Sequence, residues 1–100
     1  MRMLSLLKSY CLSYCLEMSW HVYILKSEVY PDKTYIGFSG VEIDIRLLRH
    51  NAGSTPSTKR YRPWKLVWMC EFPEKQMALD FEAYLKTGSG RAFAKKRLIG

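Results

Sequence analysis

Two short runs, "WHVYIL" at residues 20–25 and "TYIGF" at residues 34–38, constrain this chain more tightly than anything else in it. Both are dense in aromatic and β-branched residues, which fit a pleated, half-buried surface. The segment between them, "SEVYPDK", carries the Pro-Asp pair of a turn. The three pieces predict an antiparallel hairpin. Each run sets a tyrosine one residue before an isoleucine, Tyr23 before Ile24 and Tyr35 before Ile36, and the second is followed at once by Gly37. A purely apolar core has no need of two matched phenols and a glycine, so the hairpin is a structural element and a candidate site wall together.

The remaining elements follow from changes of period. From Ile43 to about Asn51 the spacing turns helical, with Ile43, Leu47 and Leu48 on one face and Arg46, Arg49 and His50 on the other. Asp44 near the start suits the helix dipole. "NAGSTPSTKRYRP" reads as a polar loop and "WKLVWMCEF" as a third strand. Pro73, at a first helical position, opens a helix running to about Lys86, with Met77, Ala78, Phe81 and Leu85 as its buried stripe. Gly88 is expected to cap it in the left-handed conformation. "RAFAKKRLI" reads as a final basic helix. The order β-β-α-β-α-α predicts an α+β domain over residues 19–98, a three-stranded, mainly antiparallel sheet flanked by helices.

Charge is segregated along this frame. The net charge is +7, and eleven of the sixteen Lys and Arg side chains lie in two blocks, 45–70 and 83–100, that contain no acid. A short acidic stretch at 71–82 separates them. Clustered cations of this kind release counterions when they neutralise phosphates, so nucleic acid is the expected partner. The plainer alternative is a solvated basic surface that keeps a small protein soluble. Arg49, Lys59, Arg60, Arg62, Lys65, Arg91, Lys95 and Lys96 are the candidate DNA-contacting residues. Three cysteines, an odd number, argue against a disulfide framework and for a reducing, cytoplasmic setting. No apolar run reaches the roughly 20 residues of a membrane span.

Residues 1–18 stand apart. Their apolar members Leu4, Leu7, Cys11, Tyr14 and Cys15 fall at helical spacing. A faint signal-peptide likeness, broken by Lys8, and an upstream extension preceding a natural start at Met18 are the other readings. The favoured reading is an appended segment with no part in the chemistry. Cys11 and Cys15 lack a second Cys or His pair for zinc and read as buried thiols.

Two groups carry potential chemistry. Arg46 and His50 sit one turn apart on the helix after the hairpin, where the simplest reading is an exposed basic face. Glu82 is four residues from Ala78 and three from Leu85, so it borders the buried stripe and points toward the sheet. A carboxylate there needs a cation, either a metal ion or a basic side chain. Two tyrosines, an arginine, a histidine and one inward carboxylate together suit phosphodiester hydrolysis. That reaction needs an activated water, a cation on the charged oxygens and help for the leaving oxygen.

With those residues in view, the chain resembles the GIY-YIG nucleases, specifically the small stand-alone bacterial type, over about residues 19–98. "HVYI" stands where the first signature segment falls, and "TYIG" matches the second outright. "IRLLRHNAG" fits the arginine, three-residue gap, histidine-asparagine pattern. "STKRYRPWKLVW" and "ALDFEAYLKTGSGRAFAKKRL" are similar to the two remaining segments. The resemblance implies a divalent-metal-dependent endonuclease acting on DNA, structured or damaged, in repair or recombination. Tyr23 and Tyr35 would face each other across the hairpin, and Arg46 would contact the scissile phosphate. His50 would assist proton transfer or orient the water, and Glu82 would hold a single Mg2+ or Mn2+. Gly37 would let the backbone pass close to the helix carrying Arg46. Which of Tyr23, Tyr35 and His50 is the general base stays open. The first signature departs from the family at His21-Val22, and no asparagine follows Glu82. Substrate choice is then expected from the basic loop at 54–65, the last helix or a partner protein, on a monomer or weak dimer. The competing expectation is a non-catalytic nucleic-acid-binding or adaptor module that retains the fold.

Overall fold

The hairpin turn is organised around one buried hydroxyl. In the computed structural model, which describes residues 19–99, Ser27 Oγ accepts from the backbone N–H groups of Val29 and Tyr30 at 3.2 and 3.0 Å. The same hydroxyl donates to the Tyr61 carbonyl at 2.6 Å, tying the turn to a distant loop. The flanking strands are β1 (Trp20–Ser27) and β2 (Thr34–Ser39). A third strand, β3 (Trp64–Phe72), pairs antiparallel with the other side of β1, giving the order β2-β1-β3. The register between β1 and β3 shifts between Ile24 and Leu25, a bulge that inserts one extra residue on β3.

Helices cover both faces of this sheet, as α+β layering requires. Helix α1 (Ile43–Asn51) and the one-turn α2 (Pro56–Lys59) connect β2 to β3. Helix α3 (Lys75–Leu85) follows β3, then α4 (Gly88–Phe93), which runs into a wider π-turn over Ala94–Leu98. Strand alternation divides β1 between two cores. Val22 and Ile24 point to one face and pack with Ala78, Leu85 and Ala94 of the C-terminal helices. Tyr23 and Leu25 point to the other and pack with Trp64, Ile43 and Leu47. The most buried strand therefore offers apolar side chains to α3 and α4, and a phenol to α1.

The sequence expectations change in five places, the first at Met77, assigned to the buried stripe of α3 but 47 % exposed. Leu48, assigned to the apolar face of α1, is 69 % exposed. The stripe that packs inward is Ile43, Leu47 and His50, with the histidine fully buried. The polar loop after α1 contains α2, begun by Pro56 at a first helical position, where its missing N–H costs nothing. Helix α3 starts at Lys75 behind Glu74, two residues after Pro73. Gly88 is not left-handed. Thr87 closes α3 by donating to the Tyr84 carbonyl at 2.6 Å, and its oxygen accepts from Gly90 N–H at 3.0 Å to cap α4. The left-handed glycine among the described residues is Gly53, φ 83°, just beyond α1. The helical reading of residues 1–18 and the thiols Cys11 and Cys15 lie outside the described residues. Among those described, no helix is long and apolar enough to cross a membrane.

Candidate active site

Tyr23 stands at the centre of β1, fully buried, with its ring lying over Gly37 of β2. The two residues are direct cross-strand partners. A Cβ on residue 37 would overlap the Tyr23 ring and hydroxyl, so glycine is required by close approach. The space it leaves is filled by Tyr23; the expectation from resemblance placed the helix backbone there. The helix is reached through Tyr23, whose hydroxyl accepts from Arg46 Nε at 3.2 Å.

That hydroxyl also meets His50 Nε2 at 2.9 Å, and His50 Nδ1 meets Thr58 Oγ1 at 2.7 Å. Proton positions along this line follow from its far end. We assign the single Thr58 hydroxyl proton to the Thr55 carbonyl, 3.2 Å away, and with that assignment Thr58 accepts from His50. Nδ1 then carries the imidazole proton and Nε2 presents a lone pair, which accepts from Tyr23. With its own proton committed to His50, the Tyr23 oxygen is left to accept from Arg46. The chain reads Arg46 to Tyr23 to His50 to Thr58 to Thr55, its members supplied by β1, α1, α2 and the residue that caps α2.

The electrostatics agree with that order. Burial pushes the Tyr23 phenol up to about 12, against the hydrogen bond and charge of Arg46, which pull it down. Burial, and then the positive charge of Arg46, push His50 down to about 4. At neutral pH the pair is a protonated phenol and a neutral imidazole.

The support for this line is itself polar and buried. Trp64 Nε1 donates to the Thr58 carbonyl at 2.8 Å. Asn51 clamps the Trp64 backbone from both sides, accepting from its N–H at 2.6 Å and donating to its carbonyl at 3.1 Å. Thr58, Asn51 and Trp64 were not among the candidates read from sequence. Pro56 as a helix opener was the available signal, because it turns "PSTK" into a helical turn able to aim Thr58 inward.

Tyr35 shares this face. It stands opposite Leu25, so it is a diagonal neighbour of Tyr23, not its direct partner. Its half-buried ring packs against Tyr23, His50 and Trp64 with centroids 6.4, 5.1 and 6.4 Å apart. Glu82 comes from α3. Its side chain is 19 % exposed, and Oε2 lies 3.2 Å from Lys86 Nζ, one turn on. Its negative charge adds to the forces that keep the Tyr23 phenol protonated. No group of three His, Cys, Asp or Glu able to hold a metal occurs among the described residues. A single shielded carboxylate is nonetheless a donor set suited to Mg2+, which keeps most of its waters and takes one or two carboxylates plus substrate phosphates. Zinc, which wants several N or S ligands, does not fit it.

The eight basic candidates are all exposed. They divide between two sides: Arg49, Lys59 and Arg60 on or beside α1 and α2, Arg91, Lys95 and Lys96 on the C-terminal helix. Arg62 and Lys65 sit at the start of β3. His50 and Arg49, assigned to one solvated face, are separated; only Arg49 meets water.

Three comparisons bear on this arrangement. The model of the GIY-YIG catalytic domain matches residues 19–97. The structure-specific endonuclease subunit SLX1 of Scheffersomyces stipitis is 43 % identical over 68 residues, 61 % of this chain. The matched stretch is 20 % of the yeast protein, so the chain spans about a fifth of that relative. The solution structure of the UPF0213 protein BH0048 from Bacillus halodurans superposes with a TM-score of 0.50 at 27 % identity, covering 83 % of this chain and 88 % of that one.

Proposed function

The chain belongs to the GIY-YIG catalytic-domain family, and on that premise we propose that it is an endonuclease that hydrolyses phosphodiester bonds in DNA. The observation that carries the reading is the ordered line from Arg46 through Tyr23 to His50, built on the first signature strand and the helix that follows the second. A phenol that gives its proton to a neutral imidazole can take one from an attacking water in the same motion. Substrate must first open the contacts that bury the Tyr23 hydroxyl at rest; the water oxygen then bonds to phosphorus, its proton passes to Tyr23 Oη, and the Tyr23 proton passes to His50 Nε2. The P–O bond to the leaving group breaks, and that oxygen is protonated from solvent. Tyr23 and His50 then share the general-base role.

Arg46 spends Nε on Tyr23, and its terminal amino groups form a fork matched to phosphate oxygens. As charge develops on those oxygens, the guanidinium stabilises it. Tyr35, beside Tyr23, orients the water or the phosphate. Glu82 would hold a divalent cation, Mg2+ or Mn2+, whose chemistry there is to neutralise charge on the phosphate and leaving oxygens. Arg49, Lys59, Arg60, Arg62 and Lys65 supply the sequence-independent grip on the backbone.

The yeast relative is a structure-specific endonuclease subunit, which favours branched DNA as substrate and a partner protein in choosing it. The deciding experiment is cleavage of a panel of branched, flapped and plain duplex DNAs with and without Mg2+. Wild type is expected to cut with Mg2+ alone, and Glu82→Ala to lose that activity while keeping its melting temperature. Undiminished cutting by Glu82→Ala would sink the metal assignment. DNA binding with no cutting of any substrate would leave the non-catalytic module.

A further inference from the structure

At the hairpin end, mainly on the face of the sheet opposite Tyr23 but reaching Tyr35 around the edge strand, lies a groove of about 480 Å³. Lys26 of β1, Lys86 at the end of α3, and Arg91 and Lys95 of the last helix line it, with Asp32 of the turn as the one acid on its wall. Its floor is apolar, with Ile36 of the edge strand β2 and Ile99 among its members. Four cations around an apolar floor match a single strand of nucleic acid better than they match a free anion. The cations take the phosphates, and the aliphatic floor gives an unpaired base an apolar surface to lie against. The volume lies within the range that holds one nucleotide-sized ligand.

Lys86 belongs to two sites. Its Nζ lies 3.2 Å from Glu82 Oε2, and its side chain also borders the groove. The pair is one turn apart on a helix and open to solvent on its Lys86 side, which makes it weak and readily exchanged. We propose, taking the nature of the occupant from the nuclease reading, that this groove holds a single-stranded segment of the DNA substrate. We further propose that a phosphate seated there draws Lys86 away from Glu82, freeing the carboxylate. The groove would thus favour substrates with an unpaired arm, and Lys86 would be a positioning residue that keeps Glu82 neutralised until such an arm arrives.

Binding of a short, dye-labelled single-stranded oligonucleotide, measured in EDTA by fluorescence anisotropy, tests both parts without any metal. Lys26→Glu with Lys95→Glu is expected to raise Kd at least about tenfold and to flatten its salt dependence by about one unit per lost phosphate contact. Circular dichroism verifies the fold, and the milder Lys26→Gln with Lys95→Gln serves if charge reversal unfolds the protein. Unchanged affinity in the variants overturns the groove. So does competition by inorganic phosphate as strong as that by the oligonucleotide, which marks a small-anion site. For Lys86, Glu82→Gln is expected to tighten binding by about twofold, the scale of a surface ion pair, and Lys86→Gln to abolish that gain. An equal gain in both backgrounds overturns the exchange. A protein that cuts branched DNA while its groove variants bind normally refutes the groove and leaves the nuclease reading intact. A protein that cuts nothing while those variants lose binding does the reverse.

Discussion

The Tyr23 hydroxyl faces two neighbours that pull on its proton in opposite senses. Arg46 stabilises the phenolate and burial destabilises it, and burial prevails, so the resting group is a phenol with a pKa near 12. A free phenolate is therefore not the base at neutral pH. What makes the residue useful is its 2.9 Å contact with His50 Nε2, which with Nδ1 protonated presents a lone pair to the Tyr23 proton. Tyr23→Phe keeps the ring that fills the space over Gly37 and removes only the relay. Cleavage is expected to fall about 10²- to 10⁴-fold, the usual worth of a positioned acid-base group. The cost in stability should stay near 1–3 kcal/mol, because the His50 nitrogen is left buried without a donor. Tyr35 makes no hydrogen bond through its hydroxyl among the described residues, so Tyr35→Phe should cost much less activity. Single-turnover rates for the two variants on one substrate separate the roles, and equal losses would undo the assignment of the base to Tyr23. The two phenols were legible in the sequence as a pair. Their inequality was not, because it comes from partners 27 and 23 residues away on α1.

Helix α1 explains both what could be read and what could not. Its limits, Ile43–Asn51, fall where the 3.6-residue period put them. Its rotation did not, because counting Leu48 as core and His50 as surface follows residue type alone. A buried histidine is admissible only when both ring nitrogens are satisfied, and the second partner, Thr58, comes from a segment that reads as loop. Strands announce themselves by composition, and helix faces by period. A polar contact between two elements is written in neither. Thr58→Val tests the dependence of one element on the other. It keeps the shape and deletes the acceptor for His50 Nδ1–H, so the imidazole loses what fixes its tautomer. Nitrogen-15 NMR should then show mixed His50 tautomers where wild type shows Nδ1–H alone, with cleavage lowered in parallel. A retained single tautomer would mean that Tyr23, not α2, sets the proton's place. The helix ends were less legible still. Thr87 terminates α3 through a side-chain hydrogen bond while Gly88, the residue favoured by type, merely begins the next helix.

At the scale of the whole molecule, the buried relay leaves a signature in stability against pH. His50 titrates near 6.5 in the unfolded chain and near 4 in the fold. Between those values the unfolded chain binds a proton that the folded one refuses, so stability is lost as pH falls from about 6.5 to about 4 and this contribution levels off below that. At about 1.4 kcal/mol per unit, the loss is on the order of 3 kcal/mol. Above pH 6.5 the group contributes no slope. Carboxylates titrate near the lower end of the same window, so the comparison needs His50→Gln, whose amide can accept from Tyr23 and donate to Thr58 without taking a proton. Urea denaturation from pH 7.5 to 4 should give a wild-type curve that falls away from the variant's below pH 6.5. Parallel curves would mean that His50 ionises freely in the fold and is not buried in the relay. The same depressed value predicts that cleavage keeps its rate from pH 7 down to about 5, with no acid limb near 6.5, because the imidazole that receives the Tyr23 proton stays neutral throughout that range.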